Sequence, residues 1–356
     1  MGLRLVADDL TGALDSAARL VPALGPIPTF VSDIPDIVPA HVAVDAATRD
    51  AGPDIARAAA LRLAPLLAGG DPAFCKLDSL LRGHAAIEIA ASAGLFQSVI
   101  IAPAFPYQGR VTRGGRQFSR TDSGDWRDTG TDLVGELSAW GWKAALCRPG
   151  QPVPRGISLW DAETDADLDM IVASGRGVAG TVLWCGTGGL AGALAGRRPV
   201  PLPLLPRPLL ALVGSDQPVS RAQLATLGRR HRQVADATDA SAVADLLRDH
   251  GDLAVSAAVP PGLSRAQAER IIVPLFTGLL NGLALQGMHP GTLFVTGGAT
   301  LRGLALALGA TRLDVDGELV PGVPTSILRG GAWEGQRIVS KSGAFGDTGF
   351  LARIMG

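Results

Sequence analysis

Leu3-Arg4-Leu5-Val6-Ala7-Asp8-Asp9-Leu10-Thr11-Gly12-Ala13-Leu14-Asp15-Ser16-Ala17-Ala18-Arg19-Leu20-Val21 holds the unit that the rest of the chain repeats. Leu3–Ala7 reads as a short buried strand, Asp8–Thr11 as a polar turn, and Gly12–Val21 as a helix with apolar residues at helical period. The same alternation continues outward. Val42–Val44 reads as a strand, Asp54–Leu67 as a helix, Ala73–Lys76 as a strand, Ala85–Ala93 as a helix and Val99–Ala102 as a strand. It resumes at strand Thr181–Cys185 and helix Leu190–Leu194. After these come strand Leu209–Val213, helix Arg221–Leu227, strand Leu253–Ser256, helix Arg265–Leu285 and strand Thr292–Thr296. Strands alternating with helices predict an α/β fold, mainly parallel sheets with crossover helices on both faces. Such sheets bind ligands beyond the carboxyl ends of their strands.

Two stretches break the rhythm. Arg198–Pro208 is dense in proline, which lacks a backbone donor and fixes φ, so it reads as a stiff linker. It predicts two doubly wound domains, 1–205 and 206–356, with a ligand cleft between them. Gly109–Thr131, rich in Gly, Arg, Thr, Ser and Asp, reads as a long loop outside the core.

At 356 residues, with 47% apolar and 18% charged residues, the chain can bury a large core. No apolar run approaches a membrane span, and a formal net charge of −1 argues against nucleic acid or an anionic membrane as partner. Cys75, Cys147 and Cys185 are too few and too scattered for a disulfide framework or a zinc site, which fits a reducing cytoplasm. Asp8, Asp9 and Asp15 interrupt the only N-terminal stretch that resembles a signal peptide.

Only three of the 32 basic residues are lysine, at 76, 143 and 341. Where arginine is used almost everywhere, a retained lysine points to a site that needs a compact ammonium. Lys76 opens Lys76-Leu77-Asp78-Ser79-Leu80-Leu81-Arg82-Gly83-His84, placing two cations, a hydroxyl and a carboxylate after a strand. Such a set suits a small hydroxylated acid, the cations taking its carboxylate and Asp78 a hydroxyl, with a following helix N-terminus favouring anions. A helix cap with an internal Asp–Arg pair is the plainer reading. Asp8 and Asp9 could supply a metal ligand and a general base, or Asp9 or Thr11 could simply cap the next helix. Arg49, after strand Val42–Val44, is a fork for a carboxylate or a solvated loop charge. Pro103-Ala104-Phe105-Pro106-Tyr107-Gln108-Gly109-Arg110 reads as a rigid turn, from which spacing alone assigns Arg110 no ligand.

The second half carries small-residue turns at strand ends: Gly214-Ser215, Gly297-Gly298-Ala299-Thr300, and Lys341-Ser342-Gly343-Ala344-Phe345-Gly346. Glycines there let backbone N–H groups approach phosphate oxygens. Three such turns in one domain, one with a lysine, point to a nucleotide. No G-x-x-x-x-G-K-[ST] P-loop is present. Gly186-Thr187-Gly188-Gly189-Leu190-Ala191 matches a loose dinucleotide pattern but lacks the acid at the next strand end, so a helix-capping turn accounts for it better.

These motifs, in this order along nearly the whole chain, resemble the four-carbon acid sugar kinase family, formerly a domain of unknown function. The shared segments are Ala7–Ala13, Lys76–Gly83, Pro103–Arg110 and the three glycine turns. The resemblance implies an ATP-dependent kinase acting on a terminal hydroxyl of threonate, erythronate or 3-oxo-tetronate, with an N-terminal sugar-acid domain and a C-terminal nucleotide domain. It places Asp9, Arg49, Lys76, Asp78 and Ser79 in substrate binding, to which Arg82 is added from the same motif. Ser215, Gly297, Gly298, Ala299, Thr300, Gly343, Ala344, Phe345 and Gly346 fall in ATP binding. The chain departs from the family pattern at Leu80, Ala299 and Ala344, and is shortened around Ala235–Leu263.

The expected mechanism has Arg49 and Lys76 on the substrate carboxylate and Asp78 or Asp9 as proton acceptor. Mg²⁺ and the glycine turns hold the triphosphate, and Lys341 lies near the transferred phosphoryl group. The expected partners are the sugar acid and ATP, with a homodimer allowed. Two other readings stand beside this one: a nicotinamide-dependent hydroxy-acid oxidoreductase, and a non-catalytic sugar-acid-binding protein of the same fold.

Overall fold

In the computed structural model, residues 2–31, 34–121 and 123–356 are described. The chain divides into two compact units, Met1–Phe30 with Ile34–Pro201, and Val31–Asp33 with Leu202–Gly356.

The first unit opens with β1 (Gly2–Ala7), α1 (Leu10–Leu24), β2 (Ile27–Phe30), β3 (Val42–Asp45), α2 (Pro53–Ala68), β4 (Gly70–Lys76), α3 (Ala85–Ala93) and β5 (Ser98–Ala102). It continues with β6 (Arg110–Arg113), β7 (Arg116–Arg120), β8 (Trp126–Asp128), α4 (Leu133–Ala139), β9 (Ala144–Cys147), β10 (Gly156–Trp160), α5 (Asp165–Arg176), β11 (Val182–Gly186) and α6 (Gly188–Leu194). Its main sheet runs β2-β3-β1-β4-β11-β5-β10-β9 and is parallel throughout. The strands are apolar on both faces because both are covered. Val6, Val44, Cys75, Ile101 and Cys185 pack with Leu63 and Leu67 of α2 and Ile89 of α3. Helix α6 packs against both α1 and α5 in a second helical layer.

One expectation is corrected here. Gly109–Thr131 is not a long loop: β6, β7 and β8 form an antiparallel sheet of their own. Arg113 pairs with Arg116 across Gly114-Gly115, whose φ values of 55° and 75° make a two-residue turn that suits glycine.

The second unit comprises β12 (Leu209–Val213), α7 (Pro218–Ala225), β13 (His231–Val234), α8 (Ala240–His250), β14 (Leu253–Ala257) and α9 (Arg265–Leu285). β15 (Thr292–Thr296), α10 (Gly298–Ala307), β16 (Arg312–Glu318), β17 (Pro324–Arg329), β18 (Arg337–Lys341) and α11 (Phe350–Met355) complete it. Its strands run β13-β14-β12-β15-β18-β17-β16, parallel as far as β18, with β16 and β17 antiparallel. Leu209, Ala211, Phe294 and Val339 pack with Leu224 of α7 and Phe350 and Leu351 of α11. By length and composition α9 alone among the described helices could cross a membrane. It buries a stripe of Ile272, Leu275, Phe276, Leu279, Leu280 and Leu283, as a core helix does.

Candidate active site

In the first unit the polar residues sit at the carboxyl ends of three adjacent strands, β3, β1 and β4. Asp9 caps α1, its Oδ1 accepting from Gly12 N at 2.8 Å. Arg49 is held by Asp8: Nε donates to Oδ2 at 2.8 Å and Nη2 to Oδ1 at 2.7 Å, while Nη1 donates to Asp9 Oδ2 at 2.5 Å. A third carboxylate, Asp78 Oδ1, lies 3.6 Å from Nη2. The fork expected to take a substrate carboxylate is therefore already closed on carboxylates of the protein itself. Arg49 is neither a solvated loop charge nor an open fork.

From Leu77 to His84 the motif is a loop, and only its last residue, His84, reaches the start of helix α3, as its cap position. The loop turns about the Asp78 carboxylate. Oδ2 accepts from Leu80 N, Arg82 N and Arg82 Nε at 3.2, 3.1 and 2.8 Å, and Oδ1 from Arg82 Nη2 at 2.7 Å. Leu81 adopts φ 55°, a strained conformation for a branched residue, and Gly83 φ 84° completes the turn. Hydrogen bonds from Arg82 and the charge of Arg49 hold Asp78 well below the usual carboxylate range, despite a burial that pushes it upward. It is a fixed anion and a poor proton acceptor. Ser79 presents a hydroxyl with no bond among the described residues, while its carbonyl accepts from Gln117 Nε2 at 2.9 Å.

Lys76 is buried, and its Nζ donates to Leu77 O at 2.6 Å. A Cβ at Gly12 would stand 2.9 Å from that Nζ, so glycine there lets the first turn of α1 close on the ammonium. Glu88 of α3 accepts from Thr48 Oγ1 at 2.7 Å. Burial and the neighbouring Asp8 charge push its carboxyl up to about 7. Burial likewise raises Asp8, with Arg49 pulling the other way. Sequence reasoning missed both Thr48 and Glu88, although Glu88 recurs one helical turn after His84, whose Nε2 lies 2.7 Å from Ala51 O.

In the second unit the three glycine turns lie at the ends of neighbouring strands β12, β15 and β18. A Cβ at Gly214 would fall 2.1 Å from Thr300 Oγ1, and one at Gly343 would fall 1.9 Å from Ser215 Oγ. Gly297 (φ 109°) starts α10, leaving Gly298, Ala299 and Thr300 as its first turn. Gly343 O accepts from Ser220 Oγ at 2.7 Å, and Phe345 O from Gln223 Nε2 at 3.1 Å. Ala344 is exposed, Phe345 stacks edge-on against Phe350, and Gly346 takes φ 86°. Lys341 is fully buried, and among the described residues its acceptors are Ser342 O and Phe345 O, each at 3.3 Å. Burial pushes its ammonium down to about 8. Thr296 Oγ1, at the end of β15, is buried with no partner among the described residues. A helix start, a buried cation donating only to backbone carbonyls among the described residues and an orphaned hydroxyl together fit a polyphosphate.

The dinucleotide-like stretch is packed against protein on both of its central glycines. Gly188 and Gly189 are buried, and Cβ atoms there would meet Asp15 Oδ2 and Ala104 O at 2.7 Å each. Thr187 caps α6 and donates to Ala104 O at 2.7 Å. These glycines serve packing. Among the described residues no group of three or more His, Cys, Asp or Glu could hold a metal ion.

Comparison with known proteins gives matches to the sugar-binding N-terminal domain over residues 3–133 and the nucleotide-binding C-terminal domain over residues 210–351. The chain is 34% identical to a D-threonate kinase of Cupriavidus necator, covering 99% of this chain and 96% of that protein. It is 28% identical to a D-threonate kinase of Bordetella bronchiseptica, covering 98% and 95%. A solved Haemophilus influenzae protein shares the fold with a TM-score of 0.69 at 20% identity, covering 99% of this chain and 98% of that one.

Proposed function

The chain belongs to the four-carbon acid sugar kinase family, and from that premise we propose that it transfers the γ-phosphoryl group of ATP to a terminal hydroxyl of a four-carbon sugar acid, D-threonate first among them. The division of labour between the units carries this reading. The first unit gathers cations and carboxylates at three strand ends, and the second gathers glycine turns about an unmatched lysine. The oxidoreductase alternative loses its one support, since the glycines of Gly186–Ala191 are packed against protein.

In this proposal the acceptor oxygen forms a bond to the γ-phosphorus, the bridging bond to ADP breaks, and the hydroxyl proton passes to a carboxylate. Asp9 is the acceptor we favour over Asp78. Its side chain is 23% exposed against 6% for Asp78, and it accepts from one backbone N–H and one Arg49 nitrogen. Arg49 orients that carboxylate. Lys76 and Ser79 contact the sugar acid, and Arg82 keeps Asp78 charged and fixed. The Gly297–Thr300 and Gly343–Gly346 turns with Ser215 hold the phosphates, and Lys341 balances charge developing on the transferred group. Mg²⁺ would enter bound to the triphosphate oxygens, as is usual for this ion.

The test is ADP release over a panel of D- and L-threonate, D- and L-erythronate and the 3-oxo-tetronates. Selective release with D-threonate supports the proposal. A flat response across the panel overturns it.

A further inference from the structure

A site for a small carboxylate needs a cation whose donors are not already matched. Four cations surround Asp78 in the first unit: Arg49, Lys76, Arg82 and Arg110. Arg49 grips Asp8 through its Nε–Nη2 edge, and Arg82 grips Asp78 through the same edge. This side-by-side pair of donors is the one that matches a planar carboxylate. Arg110 differs. Its Nη1 donates to Gln108 O at 2.7 Å and Gly109 O at 3.1 Å, while its Nε is buried with no partner and its Nη2 has none among the described residues. Its carboxylate-gripping edge is therefore left without a protein carboxylate among the described residues.

The backbone holds that edge in place. Gly109 (φ 64°) turns the chain, and Phe105 and Arg110 exchange backbone hydrogen bonds at 2.9 and 3.1 Å. Gln117, from the paired strand β7, donates to Ser79 O at 2.9 Å and to Pro103 O at 3.2 Å, and its Oε1 accepts from Thr112 at 2.8 Å. These bonds tie the three-stranded sheet to the Lys76–Gly83 loop, so Arg110 is fixed beside it. Arg110 feels the charges of both Asp78 and Arg82, and burial pushes its guanidinium down from its ordinary range. A buried N–H left unmatched costs stability, which ligand binding would recover.

We propose that Arg110 binds the carboxylate of the sugar acid through its unmatched Nε–Nη2 edge and sets the preference for acids over neutral polyols. This assignment rests on the kinase reading above and gives the carboxylate an arginine whose Nε–Nη2 edge no carboxylate of the protein fills among the described residues.

The test uses Arg110→Ala and Arg110→Lys in the full-length protein, with KM measured separately for D-threonate and ATP, alongside the carboxamide of the same acid. In Arg110→Ala the KM for D-threonate should rise about 10- to 100-fold, the range of a lost charge-assisted pair. The KM for ATP should stay within twofold of wild type, and the loss on the carboxamide, which offers a neutral acceptor, should be much smaller than on the acid. Arg110→Lys should recover part of the loss, and unchanged thermal midpoints would show that both variants fold. An unchanged KM for D-threonate, an equal loss on the carboxamide, or a loss confined to ATP would each overturn the assignment. The last of these would point instead to the transferring phosphoryl group. If wild type releases no ADP, calorimetric titration of D-threonate separates the two ideas. Binding that Arg110→Ala abolishes keeps this site while the kinase reading falls, and no binding to wild type overturns both.

Discussion

Replacing Arg49 with Met removes the cation that three carboxylates share while keeping an aliphatic stem of similar length. Arg49 and Asp8 have side-chain exposures of 14% and 3%, so water cannot take over the lost interactions. Breaking a buried pair by removing one partner costs about 3–5 kcal/mol, because the remaining charge is left uncompensated. For a unit of this size that corresponds to a fall of roughly 6–20 °C in its unfolding midpoint. The pH dependence gives a sharper test. Asp8 is already raised by burial, and Arg49 is the main group holding it down, so its loss raises Asp8 further. A carboxyl group raised in the folded state makes stability fall as pH climbs from its unfolded value through its folded one. In the variant that window extends to higher pH, so its deficit against wild type should be largest near about pH 8 and shrink toward about pH 5. Adding Asp8→Asn to Arg49→Met removes the stranded charge and should recover most of the stability. Urea unfolding of the three proteins at the two pH values measures this. A deficit below about 1 kcal/mol, the scale of a surface pair, or a double variant no more stable than the single one, would refute the reasoning.

Lys341→Met should lower turnover by roughly 100- to 1,000-fold, as expected for losing a group that stabilises transition-state charge, without destabilising the second unit at neutral pH. Because Lys341 is lowered from 10.5 to about 8, wild-type stability should rise between those pH values. The gain should be on the order of 3 kcal/mol and absent from the variant; a flat wild-type curve would count against an unmatched ammonium. Gly343→Ala drives a Cβ onto Ser215 Oγ, and overpacking of about 1–3 kcal/mol should raise the KM for ATP roughly tenfold while sparing that for the sugar acid. Equal effects on both substrates would argue against a nucleotide role for this turn. Glu88→Gln should remove a fall in wild-type stability as pH rises from 4.5 to about 7, seen as flattened unfolding curves across that interval.

The parallel sheets were legible because their strands are buried on both faces. Leu209–Val213 is an uninterrupted apolar run and Thr292–Thr296 is apolar between its two threonines, and in each both ends match the observed strand. The sheet β6-β7-β8 was not, since its strands, such as Arg116–Arg120, are largely polar and half-exposed and look like loop composition. One signal was available: Gly114-Gly115 between two arginines has the length of a tight hairpin turn. The candidate site followed the same division. Asp9, Arg49, Lys76 and Asp78 announce themselves by sitting just after strands. Whether an arginine there faces a ligand or a protein carboxylate depends on contacts some 40 residues apart in sequence, as Arg49 with Asp8 shows. Spacing carries no such information.

Lysine scarcity acquires a physical reason at these strand ends. Lys76 and Lys341 are the last residues of β4 and β18, both buried, and both donate only to backbone carbonyls among the described residues. Lys143, by contrast, is exposed. A guanidinium in either buried position would bring five donors in a rigid plane to a place offering one or two carbonyl oxygens. At Lys76 it would also have to pass Gly12, where even a methyl group would stand 2.9 Å from the present nitrogen. An ammonium has three donors and no plane, so it can satisfy a carbonyl and still turn a proton toward an incoming oxygen. Arginine is kept where carboxylates or a planar substrate group can fill its edge, as at Arg49 and Arg82 and, by our proposal, at Arg110. By our proposal the two cation types divide by acceptor geometry: lysine where the ligand supplies single oxygens from hydroxyl or phosphoryl groups, arginine where two oxygens lie side by side.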